Sequence, residues 1–283
     1  MEIKALNEVD LRAATAPLNR AATSFLPLVR TPALLRERAR LGVLDLTLSR
    51  AAVVGEQPAG ACLLERDGDE AFIAGAAAEP PAQQRGGWHV LLDAVLAAAG
   101  KAGVRRVTIE ASEHDPQQLG ALQAAGFQRS RELGRYTLAG APNHALVPPE
   151  ADENSPAPAS GRYARAVSID EALPLLSTES PPFGRRAEVL RKLAPSYTLR
   201  GLFDAGAGAD GKPLAVVVVE RERKLLVALG GEPEAAAQLV ALAAARHEAR
   251  FVDAVPEGDP MAAALLSAGF QFAQLRVELA RNL

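Results

Sequence analysis

The sequence predicts an α/β (α+β) protein with two tandem domains, each a mixed, mostly antiparallel twisted sheet flanked by helices. Three observations lead to this prediction. The chain has 283 residues, of which 48% are hydrophobic, so it can bury two cores of ordinary size. A proline-rich segment divides the chain near its middle, and similar stretches end both halves. We therefore expect domains at 1–140 and 162–283, joined by a linker at 141–161.

The predicted linker has the composition of a solvated, semi-extended segment. Residues 141–161 contain five prolines and the acidic residues Glu150, Asp152 and Glu153, but no Lys or Arg. Such a segment buries too little apolar surface to belong to a core.

The two halves end alike, in LQAAGFQRSRELGRYTL and LLSAGFQFAQLRVEL. The shared glycines, Gly126 and Gly269, lie 143 residues apart, and an upstream pair, Gly86-Gly87 against Gly230-Gly231, repeats at 144. Two landmarks at nearly one offset indicate an internal duplication.

The first domain is expected to open with a strand at 2–6 and a helix capped by Asp10. Thr31-Pro32 supplies an N-cap and an N1 proline for a second helix, which Gly42 ends.

Three antiparallel strands joined by short turns should follow, at 44–54, 59–66 and 71–78. The next segment, 88–99, has the apolar spacing of a helix, and Gly100 is its expected stop.

A helix between strands implies a crossover, so the strand at 104–111 should run parallel to the one at 71–78. Asp115-Pro116 then caps a helix, and 127–138 is the last strand. The order is βααβββαβαβ.

The second domain repeats this arrangement. Its expected elements are a helix within 183–193 and strands at 197–204, 213–220 and 224–229.

The turn after the third strand of the first domain carries the most specific motif. Residues 78–92, AEPPAQQRGGWHVLL, align without gaps on V-x-P-x-Y-R-G-x-G-x-G-x-x-L-L of the GNAT N-acetyltransferase superfamily. Residues 105–138 are similar to the family's strand, N-x-x-A-x-x-L-Y helix and G-F turn. The first half therefore resembles a GNAT domain over nearly its whole length, and the second resembles the degenerate GNAT-like domain found behind many bacterial acetyltransferase domains.

The resemblance implies an acyl-CoA-dependent N-acyltransferase with acetyl-CoA as co-substrate. A helix N-terminus offers unpaired N–H groups and a positive dipole end, so it can hold a pyrophosphate through the backbone. The amides of residues 84–89 would bind the pyrophosphate, and the small run 75–78 would let pantetheine lie beside the strand. The implied cofactor-binding residues are Ala76, Ala77, Ala78, Gln83, Gln84, Arg85, Gly86, Gly87, Trp88, His89 and Asp115.

The sequence departs from the family pattern in the loop and in the later helix. Trp88 replaces the last glycine of the loop, so its indole either swings away or blocks the phosphate path. Asp115, Gln118 and Leu122 stand where the family has Asn, Ala and Tyr, so the usual general acid is missing.

Other side chains are candidates for the proton transfers. Glu110, Glu113 and His114 are candidate bases, and Tyr136 is a candidate substitute acid. Each also has an ordinary interpretation as a strand or loop surface residue.

The second domain has GGEPE at 230–234, where two carboxylates would repel phosphate and a proline removes a donor. We expect a structural or substrate-shaping role for it. Arg185 and Arg186 either bind an acidic group or lie on a solvated helix face.

The composition narrows the function classes. Residues 1–140 carry sixteen basic and sixteen acidic side chains, which argues against nucleic acid as a partner. We expect no membrane association, no metal and a cytoplasmic monomer or homodimer whose acceptor is a small-molecule or protein amine. Cys62, the only cysteine, is expected to be a buried strand residue rather than a catalytic thiol. The alternative to an enzyme is an inactive GNAT-like pseudoenzyme that binds a ligand or a partner.

Overall fold

The computed structural model describes residues 1–21, 30–151, 161–176, 181–205 and 211–283. Residues 152–160 of the predicted linker lie outside these ranges. The chain divides into two compact units, which are residues 1–131 with 276–283 (unit 1) and residues 132–275 (unit 2).

Unit 1 contains the elements of the first half and the end of the chain. Its helices and strands, with β6 and β12 shared between the units, are β1 (Glu2–Ala5), α1 (Leu11–Ala21), α2 (Pro32–Arg40), β2 (Arg50–Val54), β3 (Gln57–Asp67), β4 (Glu70–Ala78), α3 (Pro80–Gln83), α4 (Gly87–Lys101), β5 (Arg106–Ser112), α5 (Pro116–Ala124), β6 (Gln128–Thr137) and β12 (Gln271–Asn282).

Strands β1 to β4 pair in sequence order and antiparallel, and β5 joins β4 parallel after the α4 crossover. The other edge of β5 pairs antiparallel with the end of β12, from Arg276↔Ser112 to Asn282↔Arg106. One core lies between the sheet and the helices α4 and α5, and a second lies between the sheet and the helices α1 and α2.

Local signals determine several element ends as predicted. The Thr31 side chain accepts a hydrogen bond from the Leu34 amide at 3.0 Å, and Asp115 accepts one from the Gln118 amide at 2.9 Å. Both residues therefore cap the helices whose first residue is a proline. Gly42, with φ of 70°, follows α2 as expected.

Two predicted boundaries were wrong. The strand expected at 44–54 begins only at Arg50, because Asp45 accepts hydrogen bonds from the Thr47 and Leu48 amides and folds this stretch into a turn. Gly100 lies inside α4 rather than ending it, and Gly103, with φ of 82°, provides the left-handed residue after the helix.

Unit 2 pairs its strands in the order β6-β11-β10-β9-β8-β7. Its elements are β7 (Arg162–Ala166), α6 (Ile169–Leu176), α7 (Ala187–Leu193), β8 (Tyr197–Asp204), β9 (Ala215–Glu220), β10 (Leu225–Gly231), α8 (Pro233–Arg246), β11 (Phe251–Pro256) and α9 (Met261–Ser267). Its core forms around α8, whose residues from Ala235 to Ala244 are mostly buried.

The compact units differ from the predicted domain bounds. The strand expected to close the first domain, β6, pairs antiparallel with β11 from Thr137↔Phe251 to Leu133↔Pro256, within unit 2. The end of β12 takes the place beside β5 in unit 1. The boundaries at 140 and 161 stay a prediction about independent folding, but unit 1 is not one continuous stretch of chain.

Candidate active site

The candidate site of unit 1 begins where β4 and β5 separate. The two parallel strands pair from Glu70↔Arg106 to Ile73↔Ile109, and the pairing ends there although both strands continue. On its other edge β4 carries a bulge, because Ile73 and Gly75 pair with consecutive residues of β3 and leave Ala74 as the extra residue. The β5-facing edge of β4 after Ile73 is thus free of a neighbouring strand, and a bulge marks the point of separation.

Three of the six amides predicted to hold a pyrophosphate are already engaged. The amides of Gln84, Arg85 and Gly86 donate to the carbonyls of Pro80, Ala82 and Gln83 at 3.0, 3.0 and 2.9 Å, which closes the short helix α3.

The other three amides begin α4. Within the described ranges, those of Gly87, Trp88 and His89 have no backbone or side-chain acceptor, as expected for the first turn of a helix. The amides available to an anion are therefore fewer than predicted, and they lie at residues 87–89.

Two glycines shape this loop for different reasons. Gly86 has φ of 68° and ψ of 23°, a left-handed conformation that ends α3 and caps α4. Gly87 packs so closely on α3 that a Cβ would lie 2.6 Å from the Ala82 carbonyl oxygen. The glycine pair therefore allows α4 to begin directly after α3.

Trp88 does not extend freely into solvent. Its indole is half-buried and packs against the core beneath α4, and it meets the exposed His89 ring edge-on with centroids 5.6 Å apart. The indole therefore packs onto the protein, and whether it leaves the phosphate path open or blocks it stays a prediction.

The residues at the end of β4, beside the loop, have small side chains, and the loop is hydrogen-bonded to the strand. Ala77 and Ala78 are buried and Ala76 is half-buried against the core. The Gln83 side chain donates to the Ala78 carbonyl at 2.6 Å, so its amide group holds the loop against β4. Glu79, next along the chain, is paired with Arg20 of α1.

The candidate base Glu110 is held by an arginine. It follows the separation point on β5 and lies 3.4 Å from the Arg276 guanidinium. Directly opposite on β12 is Glu278, which is 3% exposed and bonded to Arg131 at 2.8 Å. Two carboxylates facing each other would repel, so each arginine offsets one of them. Arg276 and Glu278 were not predicted, because they come from the far end of the chain.

The residues after β5 have structural contacts. Glu113 pairs with Arg129 at 2.6 Å, and His114 is exposed. Asp115 is also exposed, and its carboxylate caps α5. A cofactor contact by Asp115 stays a prediction.

Leu122 and Cys62 are core residues. Leu122, at the position of the family's tyrosine, has no exposed surface. Cys62 is fully buried, and burial raises its pKa to about 12. The interpretation of Cys62 as a buried strand residue is confirmed.

Tyr136 belongs to unit 2, whereas Glu110 and Glu113 belong to unit 1. Its ring packs edge-on against Phe272, with centroids 5.7 Å apart. Burial raises the pKa of the phenol, and the negative charge of Asp259 raises it further. A raised pKa keeps the phenol protonated but makes it a weaker proton donor, and its role as an acid stays a prediction.

Unit 2 has a separation point of the same kind. Strands β10 and β11 pair only at Leu225↔Phe251 and Leu226↔Val252, and β10 then has a bulge at Val227. The equivalent position on β4 is Ala74, which lies 153 residues earlier.

This register corrects the predicted equivalence of the glycine pairs. Gly230 and Gly231 end strand β10, so they correspond to Ala77-Ala78 rather than to Gly86-Gly87. Pro233 begins α8 directly, and nothing corresponding to α3 and its loop precedes it. The G-F turns do match, since the Phe127 and Phe270 amides each donate to the carbonyl five residues earlier at 3.0 Å.

Packing and ion pairs occupy the second separation point. A Cβ on Gly230 would lie 2.0 Å from the Leu175 carbonyl oxygen of α6, so that helix covers the strand end. Arg185 bonds to Asp259 at 3.0 Å and Arg135 to Asp253 at 2.8 Å, and both arginines are almost fully buried. Arg185 thus binds an internal carboxylate, rather than the substrate group or solvent that the sequence predicted.

No protein-family model and no curated protein matches the sequence. Solved structures do match. A tandem GNAT protein from the clavulanic acid biosynthesis pathway is 19% identical, with 84% of this chain and 82% of that chain covered and a TM-score of 0.59. The chain has the tandem GNAT fold.

Two further solved proteins are similar at this level. A GCN5-related N-acetyltransferase from Sphaerobacter thermophilus is 14% identical, with 95% of this chain and 92% of that chain covered and a TM-score of 0.61. Another from Anabaena variabilis is 12% identical, with 99% and 72% covered and a TM-score of 0.50. At these identities the similarity establishes the GNAT fold and leaves activity to the site.

Over the described residues, none of the helices is long and apolar enough to cross a membrane. Nor does that part of the chain contain a group of three or more His, Cys, Asp or Glu side chains that could hold a metal ion.

Proposed function

We propose that this GNAT-fold protein is an acyl-CoA-dependent N-acyltransferase, and that unit 1 carries out the direct transfer from acetyl-CoA to a primary amine of a small molecule or a protein. The observation that carries the proposal is the path along β4. Its freed edge begins at Ile73 and leads, after Ala78, to a helix N-terminus with three unengaged amides. Binding of an acyl-CoA requires these features in this order, with a free strand edge beside the thioester and the pantetheine and a helix N-terminus for the pyrophosphate.

The loop residues fit a pyrophosphate. The amides of Gly87, Trp88 and His89 are donors at the positive end of the α4 dipole, equivalent to about half a positive charge. Arg85 is exposed and adds a flexible cation. The negative charge of Glu79, which would repel phosphate, is offset by its pairing with Arg20.

Glu110 and Glu113 each form an ion pair with an arginine, at 3.4 Å from Arg276 and 2.6 Å from Arg129, so both carboxylates are already engaged. In the proposed reaction, the acceptor amine therefore arrives with a neutral fraction of its own. At the other end of the reaction, the thiol of CoA is a tolerable leaving group, with a pKa of about 8.5 by analogy with cysteine. Loss of the tyrosine acid then lowers the rate by less than the roughly 10²–10⁴-fold that proton-transfer catalysis typically contributes.

A second candidate function is a pseudoenzyme that binds an acyl-CoA or a partner without turnover. Two observations favour it, since Leu122 is buried in the core where the family has its acid, and Glu110 is held by Arg276. Unit 2, which lacks the loop, is proposed to have a structural or substrate-shaping role under either function.

Calorimetric titration with acetyl-CoA and with free CoA tests the binding step, and a screen of amines by mass spectrometry tests transfer. We expect one binding site per chain, because among the described residues the loop is present in unit 1 and is missing between β10 and α8 of unit 2. Trp88→Gly should not tighten binding, since the indole packs against the core, and it should lower the melting temperature.

The outcomes separate the two functions. Binding followed by N-acetylated products supports the enzyme, whereas binding without products from any amine supports the pseudoenzyme. Absence of binding, with a gain of affinity in Trp88→Gly, would mean that the indole closes the site.

A further inference from the structure

Arg30 lies against the bulge at which β4 separates from β5. Its Nη2 donates to the carbonyl oxygen of Ala74, the extra residue of the bulge, at 2.5 Å. The backbone of Arg30 is fixed by Asn19 of α1, whose Oδ1 accepts from the Arg30 amide at 2.8 Å and whose Nδ2 donates to the Arg30 carbonyl at 3.0 Å. A permanent positive charge is thus held at one defined point of the strand.

Gly75 makes this position possible. A Cβ on Gly75 would lie 2.8 Å from Nη2, 3.0 Å from Cζ and 3.1 Å from Nε of Arg30. The guanidinium group therefore lies on the strand backbone where any other residue would have a side chain. Glycine within a strand commonly marks such a close approach.

The location of the charge relative to the co-substrate rests on the proposed function. If the pyrophosphate lies at residues 87–89, pantetheine runs back along the freed edge of β4 from Ala78. Four residues of strand, about 13 Å, separate Ala78 from Ala74. The thiol end of the co-substrate therefore reaches the bulge, where Arg30 lies.

We propose that Arg30 is a catalytic residue that stabilises the departing thiolate of CoA. As the amine nitrogen attacks, the C–N bond forms and the C–S bond breaks, and the electron pair passes to sulfur. The amine proton goes to solvent, and the guanidinium balances the charge on sulfur without transferring a proton. This role replaces the acid that is missing at Leu122 by a fixed charge.

Two carboxylates along this path are paired with other arginines. Glu79 is paired with Arg20 at the far end of β4, and across the separation Glu110 is paired with Arg276. Arg30 is bonded to the carbonyl of the bulge itself.

The pKa of the CoA thiol bound to the full-length protein tests this role without turnover. The thiolate is followed by its ultraviolet absorbance, and Cys62 does not interfere because its own pKa is about 12. We expect the bound thiol to have a pKa about one unit or more below its free value of roughly 8.5, since an opposite charge nearby lowers a pKa by about 1–3 units. In Arg30→Gln the pKa should return to the free value, and Arg30→Lys should keep part of the shift.

Two further variants make the test specific. Gly75→Ala keeps the charge but displaces the guanidinium, so it should reduce the shift. Arg36→Gln removes an exposed cation from α2 and should leave the shift unchanged. With hydroxylamine as a simple acceptor, Arg30→Gln should release CoA at least tenfold more slowly, with an unchanged dissociation constant for acetyl-CoA, which has no free thiol.

Each outcome decides one claim. If the wild-type protein binds no CoA, the proposed function fails. If it binds CoA with the same thiol pKa in the wild type and in Arg30→Gln, or if Arg36→Gln abolishes the shift equally, the role of Arg30 is overturned while the binding function stands.

Discussion

Cys62 lies on β3 with no exposed surface, and burial raises its pKa to about 12. Almost no thiolate forms at neutral pH, and a reagent cannot reach the sulfur. We expect the native protein not to react with a thiol reagent, and the denatured protein to react with one equivalent. Fast labelling of the native protein would contradict the packing of β3 in unit 1.

His247, which follows α8 in unit 2, makes stability depend on pH. Burial lowers the pKa of its ring below the ordinary value of about 6.5, and the positive charge of Arg200 lowers it further against the opposing effect of Glu150. The unfolded state then binds a proton more readily than the folded state, so the free energy of unfolding falls as pH decreases below about 6.5.

Replacement of this histidine tests the sign of the effect. His247→Gln should flatten the loss of stability below about pH 6.5 in denaturant titrations, because the group that takes up the proton is gone. The control is His114→Gln, which changes an exposed histidine of unit 1 and should keep the slope. The same slope in both variants would show that other groups cause the pH dependence.

At the residue scale, the sequence predicted those site residues whose reason is local. The glycine pair at 86–87 was recognised from the loop motif, and the structure gives it local reasons, because Gly86 is left-handed and Gly87 packs on α3. The reason for Gly75 was hidden, because its close neighbour Arg30 is distant in sequence. The pairing of Glu110 with Arg276 was missed for the same reason, since 166 residues separate them.

At the scale of elements, the end of β12 determines whether unit 1 is complete. Val277 and Leu279 are at most 1% exposed and belong to the unit 1 core. Burying two such side chains contributes about 3–6 kcal/mol. Removal of residues 276–283 would also expose the edge of β5 and leave Glu110 without Arg276.

We therefore expect a chain truncated after Leu275 to lose the folding of unit 1 and its CoA binding. Circular dichroism melting and calorimetry measure the two effects. Deletion of only Asn282 and Leu283 is the control, because it retains the two core residues and should preserve binding. A truncated chain with an unchanged melting curve would contradict the assignment of β12 to unit 1.

The elements themselves were largely predictable, but the pairing of β6 and β12 was not. Caps, turns and apolar periodicity are local signals, and they located α2, β3, β8 and α5 closely. The partner of a strand depends on distant residues, and both β6 and β12 come after similar G-F turns in the sequence. Nothing local indicates which of them lies beside β5.

At the scale of the whole molecule, the two units share a separation point with a bulge but differ in the segment that connects the strand to the next helix. Unit 1 continues into α3 and a glycine-bounded helix start, whereas unit 2 passes from Gly231 to α8 through Glu232 alone. The predicted degeneracy of the second loop is in fact the absence of that loop. The sequence of residues 230–234 had indicated only that two carboxylates there are unsuitable for binding phosphate.

The measurement that tests the central claim most directly is calorimetric titration of acetyl-CoA into the wild type, Gly87→Ala and Gly120→Ala. A Cβ on Gly87 would lie 2.6 Å from the Ala82 oxygen and force the start of α4 away from α3, whereas a Cβ on Gly120 of α5 would meet no atom within 4 Å. We expect one site per chain in the wild type, at least tenfold weaker binding in Gly87→Ala, and unchanged binding in Gly120→Ala. Equal binding by all three proteins, or two sites per chain, would contradict the assignment of the acyl-CoA site to the α4 N-terminus of unit 1.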